Sequence, residues 1–304
     1  MKKLYSVLLT IALATLATTG CQEQKSQQQA LSFTQLMEQS APEQIDAWYN
    51  GASCLSEEYT AANASKLREQ KKLLVFDLDG TLSNHRSPLP DESRALLDAL
   101  RKKYQLMMCG AGNAPRIYKQ MGNYPIDIVA NYGMQHAQVI DGKLEITKQI
   151  TTTVDSLFFR EKTDYLRQKY GYTEYHGEPL EFHKSGMVTF GLLGTKAPRE
   201  EKLVFDPDRA KRRVMYPEVL EIFKDYTVFI GGSSSFDIVG KQYNKYDATM
   251  EYAQKYGYTK EQILYIGDDM GDGGGDSHIR LGGMDYIHVL DYTKVAQMLA
   301  FLLE

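Results

Sequence analysis

Leu73-Leu74-Val75-Phe76-Asp77-Leu78-Asp79-Gly80-Thr81-Leu82 is the stretch on which the fold turns. Four consecutive apolar residues are what a parallel strand buried on both faces requires. Two carboxylates, one residue apart, follow directly. In open α/β sheets ligands bind beyond the carboxyl ends of the strands, so both acids can face a crevice there. Gly80 lets the chain turn and lets backbone amides approach an anion.

Outward from this stretch, strand and helix alternate. Asp91 to Tyr104 follows Pro90 and places Leu96, Leu97 and Leu100 on one helical face. Arg101-Lys102-Lys103 close it at the end where the helix dipole favours cations. Leu106 to Cys109 reads as a strand, Ala114 to Met121 as a helix and Ile126 to Val129 as a strand. The expected class is α/β, with a doubly wound parallel-sheet core. The middle of the chain differs. Val139 to Leu144 is a hairpin around Asp141-Gly142. Helices at Val154 to Tyr170 and Asp208 to Phe223 mix with strands at 180–183, 187–193, 227–230 and 235–239. This predicts an α+β cap at 148–232, inserted between core segments 71–147 and 233–304. The α/β pattern returns with a helix at Ala248 to Tyr256, strands at Ile263 to Ile266 and Tyr286 to Val289, and a closing helix from Tyr292 to Leu303.

A second acidic run follows a buried strand: Ile266-Gly267-Asp268-Asp269-Met270-Gly271-Asp272-Gly273-Gly274-Gly275-Asp276. Aspartates among glycines make a poor core and a poor helix. They make a good hard-cation site, because magnesium prefers carboxylate, carbonyl and water oxygens. A solvated acidic turn is the plainer alternative for either run alone. Two such runs at strand ends of one sheet, with Lys245 between them in the sequence, argue for a shared site.

The chain has 304 residues, 43% of them hydrophobic, with a net charge of -4, so no basic field points to nucleic acid. Lys2-Lys3, the apolar run from Leu4 to Ala17 and Gly20-Cys21 read as a secretory signal, and Gly20-Cys21 resembles a bacterial lipobox. Residues 1–21 are therefore expected to export the chain and supply a lipidation cysteine, Cys21. The protein would be anchored to a bacterial membrane, facing the periplasm or the cell surface. Residues 22–30 are polar and read as a tether, and 31–70 as a helical extension. Cys54 and Cys109 make no disulfide framework, and Cys109, at the end of a predicted strand, reads as a core cysteine.

Together these residues resemble the haloacid dehalogenase superfamily of phosphotransferases over about residues 72–304. The resemblance implies magnesium, with Asp77 as the nucleophile that takes the phosphoryl group. It implies Asp79 as general acid/base, giving its backbone carbonyl to the metal, and Thr81 fixing the loop. Lys245, in Asn244-Lys245-Tyr246, is the third-motif lysine, and Asp268 is a metal-binding acid. The chemistry is consistent with each residue type. A carboxylate attacks phosphorus only when the phosphate charge is neutralised, which asks for a cation and a lysine. A two-step transfer through an acyl-phosphate lowers each barrier.

Within that superfamily the chain resembles the eukaryotic-type phosphomannomutases. Arg86 sits where those enzymes have an active-site arginine. Met108-Cys109-Gly110-Ala111-Gly112-Asn113 is similar to their Gly-Gly-Ser-Asp, and Ser235-Phe236-Asp237 matches their Ser-Phe-Asp. The resemblance implies Thr81, Arg86, Gly110, Gly112, Asn113, Lys184, Lys202, Ser235 and Asp237 as substrate-binding residues. Asp272 fits a phosphatase spacing after Asp268 and Asp276 a mutase spacing, and both are expected just outside the metal's direct ligands. Asp269 reads as a surface acid. The second-motif hydroxyl falls on Gly112, so amides of Gly110 to Gly112 or the Asn113 side chain are expected to replace it. The three cap arginines of the mutases fall on Lys184, Thr195 and Lys202, losing their bidentate forks. Export and those lost forks favour a sugar-phosphate phosphatase over a phosphomannomutase. A third reading is a lipoprotein that only binds a ligand, which has no need of a nucleophile. The expected partner is a small phosphorylated sugar, and the resemblance points to a homodimer through the cap.

Overall fold

The computed structural model describes residues 53–304. The expected signal segment, Cys21, the tether and most of the 31–70 extension lie outside the described residues. Two short helices end that extension, α1 (Glu57–Ala62) and α2 (Ala64–Gln70). The Ser56 side chain accepts from Tyr59 N at 3.1 Å and starts α1. Arg68 of α2 donates to the Phe301 carbonyl at 2.7 Å, pinning the extension to the C-terminal turns.

Two sheets make up the rest. The larger runs in the order β11-β10-β1-β2-β3-β4-β5. Its strands are β1 (Leu73–Phe76), β2 (Gln105–Cys109), β3 (Asp127–Ala130), β4 (Gln135–Ile140), β5 (Lys143–Gln149), β10 (Ile263–Gly267) and β11 (Tyr286–His288). Pairings from β11 to β3 are parallel, and β4 and β5 add an antiparallel hairpin. Asp141 (φ 51°) and Gly142 (φ 73°) turn that hairpin, as an Asp-Gly pair should. β1 is central. Leu74 and Phe76 pack on one face with Leu97, Leu100 and Ile266, while Leu73 and Val75 pack on the other with Ala253, Ile263 and Tyr265. Burial on both faces is why the run is apolar without alternation. Helices α3 (Asp91–Leu100), α4 (Ala114–Gln120), α8 (Lys245–Tyr256), α9 (Ser277–Leu281) and α10 (Val295–Met298) cover this sheet.

The cap is an antiparallel sheet of order β6-β7-β9-β8, made of β6 (Leu180–Phe182), β7 (Val188–Gly191), β8 (Tyr226–Phe229) and β9 (Ser235–Gly240). It carries α5 (Ser156–Tyr170), α6 (Arg199–Phe205) and α7 (Ala210–Ile222). Phe159, Leu166, Phe190, Met215, Val219, Phe236 and Ile238 fill the space between sheet and helices. The boundary expected at 232 falls inside this sheet. β9 pairs with β7 on one side and β8 on the other, so the inserted layer runs to Gly240. The closing helix is also interrupted. α10 is flanked by 3₁₀ turns at Tyr292–Lys294 and Ala300–Leu302. Leu299, Phe301 and Leu302 are all buried, and tight turns bring these neighbouring positions onto the core together.

A seam joins cap to core. Tyr132 stacks on Phe229 with ring centroids 4.3 Å apart, and Met134, Met187 and Val239 pack around them. Ile230 N donates to the Gly273 carbonyl at 2.7 Å. Among the described residues no helix is long and apolar enough to cross a membrane.

Cys54 and Cys109 are both buried, and burial pushes each thiol up to about 12. Thiolate is the reactive form. In a Cys21→Ser chain, a thiol reagent at neutral pH is expected to label neither residue until denaturant is added. Prompt labelling of the native chain would contradict the packing described.

Candidate active site

The site begins where β1 ends. Asp77 N donates to the Ile266 carbonyl at 2.9 Å, continuing the ladder one residue past the strand. That bond fixes the backbone of Asp77 at the carboxyl edge of the sheet. Lys245, the first residue of α8, places Nζ 3.1 Å from Asp77 Oδ1 and 2.7 Å from Asp276 Oδ1. Asn244 caps α8 by accepting from Asp247 N at 2.9 Å, which sets where Lys245 emerges. Tyr265 also donates to Asp276 Oδ1, at 2.5 Å, and Asp269 N donates to Asp276 Oδ2 at 3.1 Å.

Carboxylate oxygens of Asp77, Asp268 and Asp276 lie within 4.8 Å of one another. Burial pushes the Asp77 carboxyl up to about 7, against the pull of Lys245. Burial, with Asp77 and Asp276 beside it, holds Asp268 well above the usual carboxylate range. Burial would also raise Asp276, but Lys245 and Tyr265 outweigh it and hold that group low. Burial alone would lower Lys245, but Asp276 and Asp77 keep it well above its ordinary value. Three carboxylates, Asp276 buried and Asp77 and Asp268 half-buried, against one lysine leave negative charge uncompensated, and every donor is a hard oxygen. That set fits magnesium. Asp276 has both oxygens engaged by protein donors, so Asp77 and Asp268 are the better ligands and Asp276 positions Lys245.

The loop after Asp77 is shaped around Asp268. Gly80 has φ +92°, and a Cβ there would meet Asp268 Oδ2 at 2.5 Å. Thr81 is buried and donates to Asp268 Oδ1 at 3.0 Å. Thr81 therefore orients a metal-site acid and does not line the cavity. His288 Nε2 lies 2.9 Å from the Asp268 carbonyl. Asp79 faces the opposite way. Its Oδ1 accepts from Arg86 N and from Gln120 Nε2, each at 2.6 Å, and Arg116 lies 3.3 Å from its Oδ2. Burial raises the Asp79 carboxyl, but Arg116, Gln120 and the Arg86 amide outweigh it and hold it below its ordinary value.

Above these groups a cavity of about 560 Å³ lies between core and cap. Asp77, Asp79, Lys245 and Asp268 form its core side, with Arg86, Gly110, Gly112 and Asn113. Lys202, Ser235 and Asp237 reach it from the cap, with His183, Thr189 and Arg199. Asp237 accepts from Tyr132 at 3.0 Å and from Thr189 at 3.1 Å, tying core to cap. Burial raises its carboxyl against those two bonds. Besides Thr81, three expectations are corrected. Lys184 is exposed and does not line the cavity. Asn113 reaches the cavity, but its side chain caps α4, accepting from Arg116 N at 2.9 Å. Asp272 pairs with Arg280 at 2.7 Å and stands apart from the three-carboxylate group.

Several residues escaped the sequence reading. Arg209 of the cap ion-pairs with Asp269, which is buried and accepts from Gly275 N at 2.8 Å, not a surface acid. Arg199 donates to the His85 carbonyl at 3.1 Å and to Ser87 at 3.2 Å. Arg116 and Gln120 hold Asp79. Charges on short helices read as solvated faces, and no local spacing betrays a partner far off in the chain. Asn131-Tyr132-Gly133 did carry a signal. Its three residues all have positive φ, a conformation that the asparagine and the glycine favour.

Burial raises the Asp272 carboxyl to about 7, against Arg280, from an ordinary value of 3.8. The folded chain then binds this proton more tightly than the unfolded chain. Rising pH from about 4 to about 7 withdraws stability through this group, because the folded state carries the extra proton in that window. Asp272→Asn removes the effect. Urea unfolding across that range is expected to show the parent chain losing stability relative to the variant as pH rises. A pH-independent difference would refute the assignment.

Comparison with known proteins agrees with this geometry. A family described as haloacid dehalogenase-like hydrolase matches residues 74–273. The phosphomannomutase of Encephalitozoon cuniculi (strain GB-M1) is 26% identical over 223 residues, covering 70% of this chain and 85% of that protein. The phosphomannomutase of Saccharomyces cerevisiae is 27% identical over 218 residues, covering 68% and 84%. Among solved structures, N-terminally truncated, IMP-bound Plasmodium falciparum IMP-nucleotidase superposes with a TM-score of 0.55 at 16% identity, over 81% of this chain and 71% of that one. The C-terminal domain of C. albicans trehalose-6-phosphate phosphatase gives 0.54 at 18% identity, over 83% and 98%. The two structural likenesses speak to the fold alone. The family match runs from the first core strand, through the whole cap, into the second acidic loop, and on that extent this chain belongs to the haloacid dehalogenase-like hydrolases as an enzyme of phosphoryl transfer.

Proposed function

We propose that the chain hydrolyses a sugar phosphate, with magnesium, through an aspartyl-phosphate on Asp77. The observation that carries this is the Asp77 carboxylate, 3.1 Å from Lys245 and grouped with Asp268, at the floor of the cavity between core and cap. Bound between Asp77, Asp268 and the Asp79 carbonyl, magnesium would offset charge on the transferring phosphoryl group. An Asp77 oxygen attacks phosphorus as the bond to the sugar oxygen breaks, and Asp79, a carboxylate in the free site, takes up a proton from solvent as substrate binds and passes it to that oxygen. Water then attacks the same phosphorus, Asp79 takes the water's proton, and phosphate leaves Asp77 free again. Acid–base help of this kind is typically worth ~10²–10⁴-fold. Lys245 neutralises phosphate charge and keeps Asp77 aimed.

Hydrolysis is favoured over mutase turnover by the cap. Of Lys184, Thr195 and Lys202, only Lys202 brings a charge into the cavity. A mutase must hold a bisphosphate while it turns over, and of the cap arginines that line the cavity Arg199 is bound to the His85 carbonyl and Arg209 to Asp269, which leaves Lys202 and Arg86 for a distal phosphate. Export with a lipid on Cys21 is part of the same proposal, since an exported enzyme would meet little bisphosphate activator. The similarity to phosphomannomutases supports the second reading, conversion of mannose 1-phosphate to mannose 6-phosphate.

Residues 22–304 with magnesium and a panel of hexose phosphates, with and without a hexose bisphosphate, separate the readings. Phosphate release supports hydrolysis, isomer conversion the mutase, and binding without turnover neither. Asp77→Asn is expected to abolish turnover, and persistent activity would end the mechanism. Lys202→Ala is expected to raise KM about tenfold with kcat little changed, the loss of one charge-assisted contact, while Lys184→Ala changes neither. Equal effects from both would mean that the cap closes differently from this structure.

A further inference from the structure

We propose that the Arg116 guanidinium replaces the missing second-motif hydroxyl and grips the phosphate being transferred. The inference rests on the phosphoryl-transfer reading above. Gly112 stands where a hydroxyl-bearing side chain would project from the end of β2. A Cβ on Gly112 would lie 2.2 Å from Arg116 Nη2 and 2.4 Å from Nε. The guanidinium thus fills the volume that a residue-112 side chain would take, and glycine at 112 is what makes room for it.

Two of the expected stand-ins are already engaged. Gly110 N donates to the Val129 carbonyl at 2.9 Å, and Asn113 caps α4. The flanking Gly112 carbonyl accepts from Asn131 N at 3.1 Å, fixing this turn. Arg116 lines the cavity beside Asp77 and Asp79, and its side chain is 38% exposed. Its contacts to Asp79 Oδ2, at 3.3 and 3.4 Å, are long for a charge-assisted bond, and Gln120 supports it from below at 3.0 Å. An anion richer in oxygens exchanges readily with such a partner, and the planar fork suits two phosphate oxygens at once. A plain helix-surface ion pair would explain the contact with Asp79, but not a glycine whose missing side chain the guanidinium occupies. When phosphate takes Arg116, the Asp79 carboxylate is released to turn toward the leaving oxygen.

The test measures inorganic phosphate binding to the full chain by calorimetry, with magnesium present. Arg116→Ala is expected to weaken phosphate binding at least about tenfold, the scale of one lost charged contact. Gly112→Ser combined with Arg116→Ala is expected to recover most of that loss, because a serine hydroxyl returns to the vacated volume. A merely structural arginine would show no such rescue. If Arg116→Ala fails to fold, Arg116→Gln takes its place with the same expectations. Unchanged affinity in the single variant, or no recovery in the double variant, overturns the proposal while parental turnover leaves the function standing. A parent chain that neither binds phosphate nor releases it from any ester overturns both.

Discussion

One ammonium group holds this site together. Lys245 Nζ is buried between Asp77 and Asp276, at 3.1 and 2.7 Å, and the three residues come from a strand end, a helix start and a glycine-rich loop. None of the three charges would be tolerated alone at that depth, and removing one partner of such a buried set typically costs about 3–5 kcal/mol. The arrangement therefore demands that β1 and β10 lie side by side and that the chain return from the cap close to where it left. Asn244, capping α8 only four residues after β9 ends, makes that return. The excess of acid over base that remains is what calls for a divalent cation.

The cap completes the site by exclusion as much as by contact. Asp237 binds Tyr132 across the seam, Arg209 meets Asp269, and Arg199 reaches the loop that carries His85. These contacts place the cap over part of the cavity above Asp77. Partial shielding from water strengthens each electrostatic contact around Asp77. The cap-side residues His183, Thr189, Lys202 and Ser235 are hydrogen-bonding groups, and Lys202, Arg86, Arg116, Arg199 and Arg209 bring positive charge to the lining.

Much of this was legible in the sequence because it is local. An apolar run followed by Asp77 and Asp79, and a second run followed by Asp268, mark strand ends whatever the rest of the chain does. Lys245 needed the resemblance to connect it to them. Strand β9 was harder, since Ser235 to Gly240 pairs with β7 and β8, both earlier in the chain, and nothing in its residues says which sheet it joins. Asp272 and Asp276 looked alike as acids among glycines. Only the fold places Arg280 beside one and Lys245 beside the other. Arg116, Arg209 and Asp269 owe their roles to through-space partners, which composition and spacing do not encode. Gly112 was visible as an absence, and the structure supplies the side chain that fills it.

The central claim is that phosphorus is carried by the side chain of residue 77. The most direct measurement is to quench the enzyme in mid-turnover, reduce with borohydride and map the peptides by mass spectrometry, since an acyl-phosphate of aspartate is converted to homoserine. The account predicts homoserine at position 77, dependent on substrate and magnesium. Homoserine at position 79 or 268 instead, or turnover with residue 77 never modified, would contradict it.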